Sequence, residues 1–355
     1  MNKRLIASLF AVVALAALVA TPAAAATRPA TLQISGSGSS FDNPLFTHWA
    51  STYTKAKINY ESLGSGTGQT QLNEGLTDFG AFDVPMLKTD DFSNFTKITQ
   101  FPITLGGEAV TYNLPGYTSK LKLTGNLIAE IYLGKITKWS TKALTALNPG
   151  LKKLAGKTED TITVVHRSDS SGTTYIFTDF LSHTNKTWKD NPLLGASKLP
   201  AWPVGVGGSH STGVDAAVSG TPGAIGYVEN AYALENHRTP AYIENKSGKF
   251  LQPTLHGVAV DASKVKKITT TKFSIVYQTG PQAYPISGFS WAGVYTDGSN
   301  WHNGASVCKA TVNFFNWSRT TGQVGVGNTP LFYVKLPKNI AAYAAAQLKK
   351  VKCSK

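Results

Sequence analysis

The chain has 355 residues, 42% of them apolar and 15% charged, and a net charge of +14. That balance excludes a disordered chain. The seven histidines are scattered without HExxH-type spacing, which excludes the common metal-hydrolase pattern, and the excess of lysine and arginine marks a surface that attracts anions.

The sequence opens Met1-Asn2-Lys3-Arg4, runs apolar from Leu5 to about Ala20, and continues Thr21-Pro22-Ala23-Ala24-Ala25-Ala26. A basic start, an apolar core and small residues before a cut site predict a secretory signal peptide over residues 1–26, cleaved near Ala26. The apolar run is short of a bilayer span, and no cysteine stands at the cut to carry a lipid. The expected product is a soluble protein exported to the periplasm. The chain beyond the signal exceeds the roughly 250–300 residues at which single cores stop growing, so two domains are expected. The two cysteines, Cys308 and Cys353, are expected to pair in an oxidising compartment. Lysines cluster only briefly, as in Lys264-Val265-Lys266-Lys267 and Lys349-Lys350-Val351-Lys352. No zinc-finger, basic-zipper or RNA-recognition signature is present, so the charge reads as a solvated surface and no nucleic-acid partner is expected.

In chain order, Leu32-Gln33-Ile34-Ser35 alternates like a strand, and Gly36-Ser37-Gly38-Ser39-Ser40-Phe41 turns into an amphipathic helix from Pro44 to Ala50. Ser39 or Ser40 can cap that helix. Lys57 to Leu63 is the next strand, followed by Gly64-Ser65-Gly66-Thr67-Gly68 and a helix from about Gln69 to Gly75. Asp78 to Pro85 reads as a short buried strand that ends in an aspartate, Asp83. Gln100 to Gly107 reads as a crossing into the second domain, Ala109 to Leu114 as its first strand, and Ile128 to Leu133 as a helix stopped by Gly134.

Thr161 to Val165 is a strand that leads into His166-Arg167-Ser168-Asp169-Ser170-Ser171-Gly172-Thr173-Thr174 and then an apolar helix. The first turn of a helix has N–H groups without intrahelical partners at the positive end of the macrodipole, which suits an anion. Ser171, Gly172 and Thr173 offer donors there, Arg167 adds a fork of donors shaped for an oxyanion, and Asp169 can hold Arg167 in place. His166 alternates away from Arg167 along the strand. Gly205 to Ser209 reads as a loop before another helix, Gly223 to Glu229 as the stretch after it, and Ala283 to Ser287 as the return crossing. Phe314 to Trp317 and Ala341 to Val351 read as closing helices. Three strand–Gly/Ser turn–helix junctions predict an open α/β sheet, with ligand beyond the carboxyl ends of the strands.

Six stretches resemble, in order over nearly the whole chain after the signal, the periplasmic phosphate-binding proteins of Pst-type ABC phosphate importers. They are Gly36-Ser37-Gly38-Ser39-Ser40-Phe41, Leu63-Gly64-Ser65-Gly66, Asp78 to Pro85, Glu130 to Ile136, Arg167 to Thr173 and Pro222 to Val228. The resemblance implies a periplasmic binding protein of type II, an α/β fold of two lobes joined by two crossing segments with the ligand cleft between them. Residues 27–105 and 286–355 would form one lobe and 106–285 the other. It implies a monomer without cofactor or catalysis, which binds inorganic phosphate and hands it to the membrane permease and ATPase subunits of an ABC importer. Carried over by motif, the ligand-binding residues are Ser40, Phe41, Ser65, Asp83, Arg167, Ser171, Gly172 and Thr173, supported by Asp169, Ser39 and Gly66. Two departures stand out: Phe82 occupies a position that is usually small in the family, which would reshape the wall beside Asp83, and residues 252–284 match poorly.

Near neutral pH phosphate keeps a proton and sulfate has none. A carboxylate such as Asp83 can accept from P–OH but meets only lone pairs on sulfate. The unmade bond and the like-charge contact cost several kcal/mol, roughly three to four decades of affinity. The alternatives are a secreted phosphatase-like relative, which lacks a metal site or a nucleophile with its base, and a relative tuned to another oxyanion, against which Asp83 speaks.

Overall fold

The computed structural model describes residues 31–297, 301, 303–323 and 331–353. The expected signal peptide, with its cut near Ala26, lies outside the described residues. Strands and helices alternate from the start: β1 (Gln33–Gly38), a 3-10 turn (Ser40–Asp42), α1 (Asn43–Thr52), β2 (Lys57–Ser62), α2 (Ser65–Asn73), β3 (Phe79–Phe82) and the long β4 (Ile98–Tyr112). There follow β5 (Lys122–Leu123), α3 (Gly125–Tyr132), α4 (Lys142–Leu147), β6 (Thr163–Arg167), α5 (Gly172–Thr184), α6 (Lys186–Asp190), β7 (Val206–Gly208), α7 (His210–Gly220) and β8 (Ala224–Glu229). Next come α8 (Asn230–Glu235), β9 (Tyr242–Glu244), β10 (Phe250–Leu251) and α9 (Leu255–Ser263), then β11 (Ser287–Tyr295), α10 (Gly304–Ser318) and α11 (Lys338–Leu348).

Eight strands form one sheet in the order β2-β1-β3-β11-β4-β8-β6-β7. β1, β2 and β3 are mutually parallel, as are β6, β7 and β8. The two central strands set how these groups face. β11 is antiparallel to both β3 and β4, so β4 runs the same way as the first group. β8 is antiparallel to β4, so the second group runs the opposite way. β4 pairs with β11 up to Gly107 and with β8 from Glu108. The carboxyl ends of the two parallel groups therefore meet where β4 changes partner.

The central parallel strands are buried on both faces, and their sequences are accordingly apolar. β3 is the plainest case, with Phe79, Gly80, Ala81 and Phe82 all buried. Helices cover it: Phe46 and Trp49 of α1 pack with Phe79 and with Phe314 of α10, with ring centroids 5.3–6.3 Å apart. In the other half Tyr132, Phe177 and Tyr227 pack together, with Phe177 stacked on Tyr227 at 4.2 Å.

Several local expectations change. The crossing at Gln100–Gly107 and the strand after it are one continuous strand, buried from Ile98 to Thr111. Its Gly106-Gly107 pair makes no turn; it lets Phe41 pack on one residue and Pro253, Val258 and Tyr284 on the next. Pro102 donates no ladder hydrogen bond, and the register with β11 shifts beside it, between Ser290 and Trp291. The second helix begins at Ser65, not Gln69, because Gly64 at φ +87° turns the chain directly into it. The stretch read as a loop at 205–209 contains β7. Phe82 does not line the wall beside Asp83: its ring lies against Gly80 and Gly293 in the core, as strand alternation demands.

Cys308 and Cys353 form a disulfide with Cα atoms 5.5 Å apart, tying the chain end to α10 across 45 residues of sequence. Replacing both by serine is expected to remove about 2–4 kcal/mol of stability through the longer loop freed in the unfolded chain, measured by denaturant unfolding.

Candidate anion-binding site

The carboxyl ends of β1, β2 and β3 deliver Ser39, Ser40, Ser65 and Asp83; the end of β6 delivers Arg167 and the first turn of α5. Ser39 and Ser40, Ser65, Asp83, Arg167, Ser171 and Thr173 are all buried. Packing is close at Gly172: a Cβ there would stand 2.5 Å from Cβ of Asp83 and 2.6 Å from its Oδ2. Only a residue without a side chain lets the start of α5 lie against the aspartate.

Arg167 is 1% exposed. Its Nε donates to Asp169 Oδ1 at 2.8 Å, Nη2 donates to Asp169 Oδ2, and Nη1 reaches across to Ser40 Oγ at 3.2 Å. Its backbone N–H donates to the Tyr227 hydroxyl at 3.2 Å, and that hydroxyl also bonds Thr174 Oγ1 at 2.7 Å. Asp169 is braced from a second side by the His210 N–H at 2.9 Å. Burial raises the Asp169 carboxyl, but the hydrogen bond and charge of Arg167 outweigh it and hold the group below its ordinary value. Burial opposes the Arg167 charge, and Asp169 again more than restores it. The pair is thus ionised and oriented, with one arm of the guanidinium turned to the first loop.

Asp83 Oδ2 accepts from Ser39 Oγ at 2.6 Å and from Ser65 Oγ at 3.3 Å, while Oδ1 is buried with no hydrogen-bond partner among the described residues. Thr173 Oγ1 is in the same condition. Burial pushes the Asp83 carboxyl up to about 6, against the pull of the Ser39 hydroxyl and of Arg167. Ser171 caps α5 by accepting from the Thr174 N–H at 3.2 Å, leaving the N–H groups of Gly172 and Thr173 at the open positive end of the helix. The Phe41 N–H donates to Ser39 Oγ at 3.1 Å, its carbonyl accepts from the Tyr333 hydroxyl, and its ring packs 5.6 Å from that of Tyr333. It shapes the first turn from the core side. Gly66 donates its N–H to the Ser170 carbonyl at 3.0 Å, and Lys198 reaches from the second group to Gln69 and Asp90 at 2.7 and 3.2 Å. His166 stacks on Trp202 at 4.7 Å, its Nδ1 3.0 Å from the Arg167 carbonyl.

Four residues of this centre are not evident from the sequence. Ser211, in the first turn of α7, lies 3.0 Å from Ser40 Oγ and donates to Glu229 Oε2 at 2.6 Å. Its signal was present: Val206-Gly207-Gly208-Ser209 is a fourth strand–Gly/Ser turn–helix junction. Glu229, Glu108 and Asp42 are buried acids around the same centre, and nothing in sequence spacing brings them together. Among the described residues no group of three or more His, Cys, Asp or Glu side chains is arranged to hold a metal.

The PBP superfamily domain matches residues 23–315. A phosphate-binding protein PstS of Xylella fastidiosa is 38% identical over 330 residues, covering 90% of this chain and 86% of that one. The chain belongs to the PBP superfamily, in the family of the PstS proteins. Those of Pasteurella multocida and Methanocaldococcus jannaschii are 37% and 35% identical, over 89% and 88% of this chain and 90% and 85% of theirs. Among solved structures, a Stenotrophomonas maltophilia phosphate-binding protein superposes with a TM-score of 0.65 at 19% identity, over 89% of this chain and 94% of that one. A putative phosphate ABC transporter substrate-binding protein from Clostridium perfringens with bound phosphate superposes at 0.59 and 20% identity, over 86% and 100%. These likenesses confirm the type II periplasmic binding protein fold.

The buried acids make stability depend on pH. Asp83, Glu229 and Asp261 rise to about 6, 7 and 8, chiefly through burial. A carboxyl raised in the folded state favours folding below its unfolded value and loses that advantage as pH rises through the folded value. The melting temperature without added anion is therefore expected to fall steadily from pH about 5 to about 8, and a flat or rising curve would contradict the burial of these groups. Gly172→Ala is expected to separate α5 from Asp83 and weaken anion binding at least tenfold, about 1.4 kcal/mol or more, by calorimetric titration.

Proposed function

We propose that this protein binds inorganic phosphate between its two lobes, 27–105 with 286–355 and 106–285, and delivers it to the permease and ATPase subunits of an ABC importer in the inner membrane. The observation that carries the reading is the opposition of Arg167 and Asp83. One lobe brings a fixed, ionised guanidinium and the N-terminus of α5, and the other brings a buried carboxylate with an unused oxygen. A fully ionised anion is repelled by that oxygen, whereas an anion that keeps a P–OH can donate to it.

The ligand set we assign is Ser40, Phe41, Ser65, Asp83, Arg167, Ser171, Gly172 and Thr173, with Asp169, Ser39 and Gly66 in support. Ser40, Ser65, Ser171 and Thr173 would supply hydroxyl donors, and Gly172 and Thr173 N–H donors. The Phe41 N–H would join them by leaving Ser39 Oγ as the anion enters. Dipolar donors held ready by both lobes provide most of the affinity, and the Asp169 carboxylate balances Arg167 so that the anion can leave again. Opening and closing would use the two crossings, β4 and the entry to β11, as the hinge. A phosphatase reading finds no support in the geometry, since His166 is turned to Trp202 and pairs with the Arg167 carbonyl, away from the hydroxyls of the site. No cofactor or nucleic-acid partner enters the scheme, and the protein acts as a monomer. Export to the periplasm through the signal peptide follows the same reading, and N-terminal sequencing of the secreted protein is expected to begin close after Ala26.

The reading is tested by titrating the protein, freed of co-purified anion, with phosphate and with sulfate. Phosphate is expected to bind one to one and sulfate not at all near neutral pH. Asp83→Asn is expected to admit sulfate, because the amide can donate where the carboxylate repelled, and to narrow the preference for phosphate by two decades or more, roughly 3 kcal/mol. The wild type is expected to begin admitting sulfate as pH falls below about 6, where Asp83 takes a proton. Absence of phosphate binding would sink the proposal.

A further inference from the structure

Behind the residues assigned to the anion lies a second buried layer. Glu108 and Glu229 stand directly opposite each other in the β4–β8 ladder, so their side chains leave the same face of the sheet. Both are completely buried. Glu229 Oε2 accepts from Ser211 Oγ at 2.6 Å, Ser211 Oγ lies 3.0 Å from Ser40 Oγ, and Ser40 Oγ accepts from Arg167 Nη1 at 3.2 Å. A chain of two hydroxyls thus links a buried acid to the anion site. Glu229 Oε1 and both carboxyl oxygens of Glu108 have no hydrogen-bond partner among the described residues.

Two carboxylates opposed in a buried ladder cannot both be charged, so the pair holds at least one proton. Whether Glu229 itself carries a proton, beyond the one the pair must hold, sets the direction of the hydroxyl chain. If Glu229 is ionised, it accepts from Ser211, whose oxygen then draws the Ser40 hydrogen away from the cleft. If Glu229 is protonated, it donates to Ser211, Ser211 donates to Ser40, and the Ser40 hydrogen is free for the anion. Ser40 then accepts from Ser211 and Arg167 and donates once, which satisfies a hydroxyl.

We propose that Glu229, sharing a proton with Glu108, is a positioning residue for anion capture: the proton turns Ser211 and Ser40 towards the bound anion, and phosphate binding draws a proton onto the pair. This rests on the phosphate reading above. The charges that face Glu229 are Glu108 from β4, Arg167 from β6, Asp83 after β3 and Asp42 from the first turn, with the phenols of Tyr333 and Tyr232 in the same field. Burial lifts Glu229 to about 7, and the Ser211 hydrogen bond and Arg167 pull it back. A bound anion adds negative charge beside the pair and raises Glu229 further. The resulting gain in affinity is complete below the free value and lost as pH rises through the bound one.

The test is calorimetric titration with inorganic phosphate from mildly acid to mildly alkaline pH, in buffers of different ionisation enthalpy, which counts protons taken up per phosphate. Glu229→Gln keeps a donor towards Ser211 but has nothing to titrate. It is expected to bind phosphate with about half a proton to one proton less uptake than wild type and a shallower alkaline loss of affinity. The ionisation of phosphate itself is common to both proteins and cancels. Glu108→Gln removes the like-charged neighbour, so the alkaline loss is expected to begin at lower pH, and this variant carries the test if Glu229→Gln fails to fold. Proton uptake and a pH profile unchanged from wild type in the variants that fold would overturn the proposal and leave the phosphate reading standing. No phosphate heat from the wild type at any pH would overturn both.

Discussion

A guanidinium buried to within one per cent of its surface is the constraint on which the site depends. An isolated charge in such a place is prohibitively unfavourable, so Arg167 must be matched locally, and Asp169 does so through two arms of the fork. The match leaves one arm over for the cleft. It also accounts for the loop around it: the Tyr227 hydroxyl holds the strand end, the His210 N–H holds Asp169, and the Ser171 cap starts α5 where an anion would need its N–H groups. The arginine is fixed from all sides, and an anion that meets it finds donors already in place.

Acids surround the arginine, Asp83 from the other strand group and Glu229 from its own, which looks adverse for an anion site until the sheet is considered. Because β1–β3 and β6–β8 run towards each other, their carboxyl ends collect whatever residues terminate them, and here those include Asp83 and Glu229. Burial raises both carboxyls towards neutrality. A protein whose task was to hold any anion tightly would have no use for them. A protein that must recognise an anion by its proton does, because a carboxylate is a sensor for a hydrogen on its ligand. The relay through Ser211 and Ser40 extends the same principle one layer deeper.

The wider surface carries the positive charge that the site lacks. A cleft of about 870 Å³ is lined by Lys264, Lys266, Lys267 and Lys272, and it shares Tyr175, Asp179 and Phe273 with the small cavity beside Asp83. Charge spread in this way raises the local concentration of anions without contributing contacts, and it is screened by salt. In the proposed function capture and recognition are therefore separate: long-range attraction would belong to exposed lysines, and discrimination to a buried centre with a matched arginine.

Much of this was legible in residue order. The Arg167–Thr173 turn, the Ser39–Phe41 turn and the Ser65 turn each announce a strand, a helix start and a set of donors, since turn geometry and positive backbone angles are local chemistry; the side-chain cap expected at the start of α1 is absent, and Ser39 caps the 3-10 turn before it. The apolar Asp78–Pro85 stretch likewise announces a buried strand with an acid at its end, and the expected export to an oxidising compartment announces the Cys308–Cys353 bond. What sequence could not provide was opposition. Nothing local says that β4 runs unbroken past Gly106-Gly107 to exchange β11 for β8, that the ring of Phe82 turns to Gly293 and not to the cleft, or that Gly172 must be bare because Asp83 lies against it. Glu108 and Glu229 are separated by more than a hundred residues and become neighbours only through antiparallel register. The sequence determined the donors and the turns that present them, because those follow from side-chain chemistry and backbone angles a few residues apart. The tertiary structure alone decided which acid faces which base and how deeply both are buried, because charge and hydrogen bonding at a site depend on what the rest of the chain has packed around it.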